Sequence, residues 1–386
     1  MNAEVQGPSL IDVHQRYIHS LESDGLLDRA VEFVPSDDEL AERKAAGHGL
    51  AAPEFAVLLA YTKNLLADEL LLGTLPDDPW CERLLVDYFP PALRERHLTE
   101  IRRHRLRREI IATTLANAVV DEQGITSLYR LRDETGADLA DAARTMVAAT
   151  AVFDLSRFRA QVADLDHEVP AAVQTQMLLE ARKLAERGSR WLLRTRRDEP
   201  IGDLVGRYAS GVATLIETLP SILVGAERTS FDSVRTDLER AGVPGAIARR
   251  SAGLDELFGG LDCVDLAVES FEEVEAVAAV RFELEDRLGM VWLFEQVAAL
   301  PRGTRWQTLA RLSLREDLLV QLRRLTGLVL GSTAPDLGAD QRVATWLSAH
   351  EQAVDRLGQI LGDIRAAGSG DLATLSVGLR EVTQLR

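Results

Sequence analysis

The chain has 386 residues, 46% of them hydrophobic, and a formal net charge of −17. That length and apolar content support a substantial core in one to three domains and exclude wholesale disorder. The acidity disfavours nucleic acid and anionic membranes as partners, because the chain as a whole repels both.

Two cysteines, Cys81 and Cys263, fit no metal-ligand spacing. They indicate a reducing compartment without a disulfide framework. The opening segment MNAEVQGPSL lacks the charged and apolar regions of a signal peptide. No run of about eighteen apolar residues is present, so no helix is expected to span a membrane. Lysines number only three (Lys44, Lys63 and Lys183) against 41 arginines, which leaves few candidates for a catalytic amine.

Helix punctuation is frequent and strand signals are almost absent. A first helix is predicted from Ser9 to Asp24, ending before Gly25. Ser36-Asp37-Asp38-Glu39 is a capping box, in which Ser36 accepts from the third helical amide while Glu39 reaches back. That helix should run to Gly47. Pro53 opens the next and Gly73 closes it. Its apolar residues spread past one face (Phe55, Val57, Leu58, Leu59, Tyr61, Leu65, Leu66, Leu70), which predicts a buried central helix. Pro79 opens a short helix through Tyr88.

The next stretch, from Tyr88 to Gly124, organises the first half. Pro90-Pro91 suits a helix start and Gly124 a helix end. With no Gly or Pro between, about nine continuous turns are predicted, long for a globular helix. Its first half carries Arg94, Arg96, Arg102, Arg103, Arg105, Arg107 and Arg108 against Glu95 and Glu100. Its second half is apolar (Ile110, Ile111, Leu115, Val119, Val120). A helix charged at one end and greasy at the other should cross from a wet interface into a core.

Beyond Gly124, Thr126 and Asp138 are predicted caps of two helices, and a third runs from Leu155 to about Asp166. Pro170 opens a long helix to about Arg197. The charged, Pro-containing step 198–200 is a plausible joint, which divides the chain into 1–198 and 199–386. Ile201 to Leu219 should be helical and Pro220 should break it. Thr229 and Pro244 begin short helices, Gly259-Gly260 marks a turn, and Ser270-Phe271-Glu272-Glu273 reads as a second capping box. Residues 251 to 290 hold eleven acidic side chains against two arginines. Thr304 to Leu330 is the clearest amphipathic helix, with Leu318, Leu322, Leu325 and Val329 in phase. A loop covers Gly331 to Gly338, and helices from Ala339 to Ala366 and Asp371 to Leu385 finish the chain. The predicted fold is all-α and bundle-like, in one helical domain or two subdomains, with no significant sheet.

Candidate motifs compete with plainer readings. The arginine run could contact phosphate, but it has little aromatic interleaving in an acidic chain. A solvated or salt-bridged face is the preferred account. Its acidic partner could be the 251–290 region or a domain outside this chain. His97 and His104, seven apart, would share a helix face, yet no carboxylate or Cys completes a metal set. His14 and His19 are badly spaced, and His167-Glu168 lacks the second His of a zinc-protease motif. Gly368-Ser369-Gly370-Asp371-Leu372-Ala373 fits a loose dinucleotide fingerprint. A predicted helix precedes it rather than a strand, so a helix end followed by an Asp371 cap explains the same residues. Nucleophile elbows and P-loops are absent from the sequence. The five tryptophans (80, 191, 292, 306, 346) sit singly in helical patterns, as packing residues do.

Three segments carry a resemblance: PSDDELAERKAAGHGLAAPEFAVLLAYTKNLLADELL (35–71), YFPPALRERHLTEIRRHRLRREIIATTLANAVVDEQG (88–124) and VPAAVQTQMLLEARKLAERGSRWLLR (169–194). Together they resemble the C-terminal helical region of the large bacterial NAD-specific glutamate dehydrogenases. The likeness begins near His14, is specific to about residue 195 and looser to Arg386.

The resemblance implies a role in a longer enzyme that oxidises L-glutamate with NAD to 2-oxoglutarate and ammonium, assembled as a homo-oligomer in the cytoplasm. In that family the catalytic lysines lie in a Gly-rich motif and the NAD site in a Rossmann unit, both upstream of the part resembled. Neither motif occurs here, so no catalytic, cofactor-binding or metal residue is assigned, and this chain alone is expected to bind no NAD and to be inactive. Starting at Met1 without that part, it is expected to be a separated domain or a truncated product. Its expected partner is the catalytic domain of the same enzyme, touched by Arg102, Arg103, Arg105, Arg107 and Arg108. The alternative is a free-standing helical scaffold without catalysis.

Overall fold

The structure, a computed structural model, describes residues 3–301, 303–368 and 370–385. Among the described residues 22 α-helices and three short 3-10 helices follow one another, with no strand. The all-α expectation holds. The chain forms two compact units, one of residues Met1–Val152 with Ala185–Gly206, the other of Phe153–Leu184 with Arg207–Arg386.

The first unit is built on the helix pair Ala52–Leu72 and Arg107–Gln123, its most extensive packing contact. Leu58, Leu66 and Leu70 bury one stripe of the former, against Ile111, Leu115, Val119 and Val120 of the latter. Ala112 and Ala116, both buried, leave room for close approach. The sequence predicts Ala52–Leu72 buried all round. Instead only the i, i+4 stripe is covered, and Val57, Leu59, Tyr61 and Leu65 are half-buried. Thr62 completes that stripe by exchanging a 2.8 Å hydrogen bond with Tyr17 of Ala3–Ser23. The segment 185–206 joins this unit through polar ties: Ser189 with the buried Thr145 (2.8 Å), Arg190 donating to Glu134 (3.0 Å) and Arg144 donating to the Glu199 carbonyl (2.6 Å).

In the second unit Val274–Arg287 is the central helix. Gly260–Ser270, Met290–Ala299, Arg305–Ser332 and Ala339–Ala349 all pack on it, which buries Val277, Val280, Phe282 and Leu284. Leu372–Gln384 covers Arg305–Ser332 and pairs with Glu351–Ala367. Tyr208 donates to Asp265 (3.0 Å), and Gly211 meets Val264 so closely that a Cβ there would lie 2.5 Å from a Val264 methyl. Arg250 donates to the carbonyls of Phe153 (2.8 Å) and Asp154 (2.7 Å), tying the start of 153–184 into this unit.

Several local readings hold. The Ser36 capping box forms, with Glu39 accepting from the Ser36 amide at 2.7 Å. The amphipathic helix starts at Thr304 as expected, with a capping box to Gln307 that the sequence reading did not name. Asp138 accepts from the Asp141 amide at 2.7 Å.

Others need correction. The nine-turn helix is three helices, Pro91–Arg96, Leu98–Arg102 and Arg107–Gln123. The chain leaves helical geometry at His97 (φ −129, ψ 30), Arg103 (φ −100, ψ 13) and Leu106 (φ −101, ψ 28), all near the bridge region. Ser270 is not a cap but the last residue of Gly260–Ser270, because Phe271 turns left-handed (φ 57) and its amide bonds back to the Ala267 carbonyl. Gly259-Gly260 is a buried passage from the 3-10 helix Glu256–Gly259 into Gly260–Ser270, not a surface turn. Pro220 sits inside Ile201–Ile222. The helix expected to begin at Thr229 begins at Gly225. The last long helix is broken at His350 into Ala339–Ala349 and Glu351–Ala367.

Candidate interdomain interface

The arginine run lies within the first unit, on a small cap made by Glu82–Tyr88 and the two short helices after it. Its side chains divide into two sets. Arg102 donates from Nε to Glu82 at 2.7 Å. Arg107 and Arg108 both clasp Asp77, the former at 2.6 Å. Arg108 also donates to the carbonyls of Leu71 and Gly73, each at 2.8 Å. Those carbonyls end Ala52–Leu72, so Arg108 supplies the partners that a helix C-terminus lacks. Arg94 holds Asp87 (2.8 Å) and its backbone carbonyl (2.6 Å), while Arg83 stacks 3.1 Å over Trp80. This first set fastens the cap to its own unit. The chain kinks at His97 and Arg103 to let those side chains fold back.

Arg96, Arg103 and Arg105 form the second set. They are exposed and make no ion pair or hydrogen bond among the described residues. The same segment exposes Tyr88 (62%), Leu93, Leu98 and Leu106 (54%). Arginine and tyrosine beside aliphatic side chains, with the arginines uncommitted, are the chemistry of an interface core and its rim. Of the five arginines expected at a contact, then, Arg103 and Arg105 are available to a partner. Arg102, Arg107 and Arg108 are taken by Glu82 and Asp77 of their own unit.

The remaining candidates resolve into structural roles. Because the helix is broken, His97 and His104 share no face. His104 instead packs 5.7 Å from Phe89 and accepts from the Leu106 amide. His14 is buried near Phe55, and His19 meets Asp37 at 2.9 Å. Hydrogen bonds from Gln15 and His19, then Arg29, hold the Asp37 carboxyl down at about 2. Among the described residues no group of three or more His, Cys, Asp or Glu is arranged to hold a metal. Lys44, Lys63 and Lys183 pair with Asp12, Asp121 and Glu180 at 2.7 to 2.8 Å. Gly368 (φ 61) closes Glu351–Ala367, and Asp371 caps Leu372–Gln384 by accepting from the Thr374 amide at 2.8 Å; Ser369 between them lies outside the described residues. The glycine fingerprint is thus two helix caps. Both cysteines are free and buried, and burial pushes each thiol up to about 12. Trp346 is buried, but Trp306 is 73% exposed rather than packed. A cavity of about 20 Å³ beside Tyr17, Tyr129 and Arg132 holds about one water, far below the size of a small-molecule site.

The sequence reading missed a charged group in the second unit: Arg281 and Glu285, both buried, and Glu227, half-buried with its Oε2 shut off from solvent. A signal existed, since Arg281 and Glu285 stand i, i+4 on the face of VEAVAAVRFELE that also carries Val277, Ala278 and Leu284, while Glu275 and Glu283 lie elsewhere on the helix. Nothing local connects Glu227 to them.

Comparison with known proteins places the chain. The family model "Glutamate dehydrogenase, C-terminal" matches residues 47–384. The chain is 36% identical over 383 residues to the NAD-specific glutamate dehydrogenase of Halomonas elongata, covering 99% of this chain and 24% of that protein. It is 38% identical over 382 residues to that of Mycobacterium tuberculosis (98% and 23%) and 36% over 373 residues to that of Pseudomonas aeruginosa (96% and 23%). The chain spans about a quarter of the length of these relatives. It belongs to the glutamate dehydrogenase C-terminal family.

Proposed function

We propose that this chain is the C-terminal helical domain of a large NAD-dependent glutamate dehydrogenase. Its work is structural or regulatory, and the dinucleotide and glutamate sites lie in a part of the enzyme outside it. The whole enzyme would convert L-glutamate, NAD and water to 2-oxoglutarate, ammonium and NADH in the cytoplasm. One observation carries the reading: end-to-end similarity to three NAD-specific glutamate dehydrogenases, each four times longer than the aligned stretch.

The second set of arginines gives the domain a way to engage its partner. Arg103 and Arg105, with Arg96, present positive charge from a chain whose net charge is −17. An acidic surface on the catalytic part is the complementary partner, steered by charge and anchored by Tyr88 and Leu106. The long chain would then assemble as a homo-oligomer with this domain held on it.

Two measurements test this. The purified 386-residue chain is assayed for glutamate-dependent NADH formation, and none is expected. The reading frame upstream of Met1 is sequenced, and a continuous frame with a Gly-rich lysine motif and a Rossmann fingerprint is expected. Turnover by the chain alone, or an upstream frame without a dinucleotide-binding unit, would overturn the proposal.

A further inference from the structure

The central helix of the second unit, Val274–Arg287, buries Arg281 (7% exposed) and Glu285 (4% exposed) one turn apart. Arg281 Nη2 lies 3.0 Å from a Glu285 carboxylate oxygen. The guanidinium rests on Gly259, where a Cβ would come within 2.7 Å of Cζ. Only glycine lets it sit there. Gly225, which opens Gly225–Arg240, fits as tightly against the last turn of the central helix: a Cβ there would lie 1.8 Å from Asp286 Oδ1. This contact seats Glu227, in the first turn of Gly225–Arg240, beside the buried pair.

The charges do not balance. Glu227 faces Glu285, Glu256 and Asp286 on the negative side and Arg281 on the positive side. Glu285 faces Arg281 and Arg315, and Arg281 also faces Asp262 and the neutral Cys263 thiol. Across this group the carboxylates Glu227, Glu285, Glu256 and Asp286 outnumber the guanidiniums Arg281 and Arg315. Glu227 Oε2 and Arg281 Nη1 are both shut off from solvent and have no hydrogen-bond partner among the described residues. An enclosed charge without a partner is costly, and a carboxylate escapes that cost by taking a proton.

We propose that Glu227 and Glu285 form a proton-binding site: beside Arg281 they keep one proton between them at neutral pH, and its loss drives the first turn of Gly225–Arg240 away from the last turn of Val274–Arg287. The direction of titration agrees. Burial, and after it the Glu285 charge, pushes the Glu227 carboxyl up to about 9. Burial moves Glu285 the same way against the pull of Arg281. In the unfolded chain a glutamate releases its proton near 4.5. The folded form therefore binds the extra proton between those values. The stability it contributes is complete below the lower value and is lost as pH rises through the upper one.

Urea unfolding of the full 386-residue chain, followed against pH for wild type and Glu227→Gln, tests the site. The wild-type folding constant divided by that of Glu227→Gln should fall about tenfold from pH 7 to pH 8 and about fiftyfold in all from pH 7 to pH 9. Over the same range limited proteolysis should open Gly225–Arg240 in wild type and spare it in the variant. An infrared band of a protonated carboxylic acid should be present in wild type at neutral pH and absent from Glu227→Gln. Glu285→Gln removes the other carboxylate, predicts the same flattening, and serves if the first variant does not fold. A pH-independent ratio, or no protonated-carboxyl band at neutral pH, would overturn the proposal.

Discussion

Arg342 is 1% exposed and makes four polar contacts in the second unit. Nη1 and Nη2 fork onto Glu272 at 2.5 and 3.0 Å, Nε donates to Thr333 at 2.9 Å, and Nη2 donates to the Leu330 carbonyl at 3.0 Å. Substituting Arg342→Met keeps much of the volume and removes all four. Breaking a buried ion pair from one side costs about 3–5 kcal/mol. The Glu272 side chain keeps a 12% opening to water, which argues for the lower end. The Leu330 carbonyl, near the end of Arg305–Ser332, loses its donor and adds about 1 kcal/mol. The expected loss is therefore about 3–4 kcal/mol, more than a hundredfold in the folding constant. Trp346 is buried one turn further along the same helix and stacks 4.3 Å from His350, so its fluorescence reports the transition in a denaturant titration. Adding Glu272→Leu removes the stranded carboxylate and should restore most of the loss. A single-variant loss below about 1 kcal/mol, or a double variant no more stable than the single, would refute the reasoning.

Three further outcomes follow from the same geometry. Arg108→Ala gives up Asp77 and two helix-ending carbonyls and should cost the first unit about 2 kcal/mol in urea unfolding. Arg103→Glu with Arg105→Glu should change the stability of the chain by less than about 0.5 kcal/mol, because neither side chain has a partner to lose. In the long enzyme the same pair should weaken assembly, seen as lower mass by light scattering together with lower activity; unchanged assembly would count against the docking role. Cys81 and Cys263, with thiols held up at about 12, should resist a thiol reagent at neutral pH and react only on unfolding, as a colour assay with and without urea will show.

Features set within a few residues were legible in the sequence. Ser36 and Glu39 close their box on each other, side chain to backbone and side chain to side chain, and Gly368 and Asp371 end and begin helices whatever surrounds them. The breaks at His97 and from Arg103 to Leu106 were not legible, because no Gly or Pro marks them. They are set by arginines turning back to Asp77, Glu82 and Asp87. Ser270-Phe271-Glu272-Glu273 has the letters of a capping box, but a box needs an extended Ser, and the helix continues through Ser270. At the candidate interface the sequence located the basic segment. It could not divide Arg102, Arg107 and Arg108 from Arg103 and Arg105, since that division depends on where Asp77 and Glu82 come to lie. Glu227 stands more than fifty residues from its partners in the chain, so its proton site waited for the fold.

The two units interleave along the chain, since residues 185–206 complete the first after a detour of 153–184 through the second. During biosynthesis, the first unit therefore stays unfinished until Gly206 has cleared the ribosome, well after its first 152 residues emerge. A nascent chain stalled within the detour would leave Thr145 and Glu134 waiting for Ser189 and Arg190. No single scission along the polypeptide would separate the units, because a cut after Gly206 carries 153–184 away from the second.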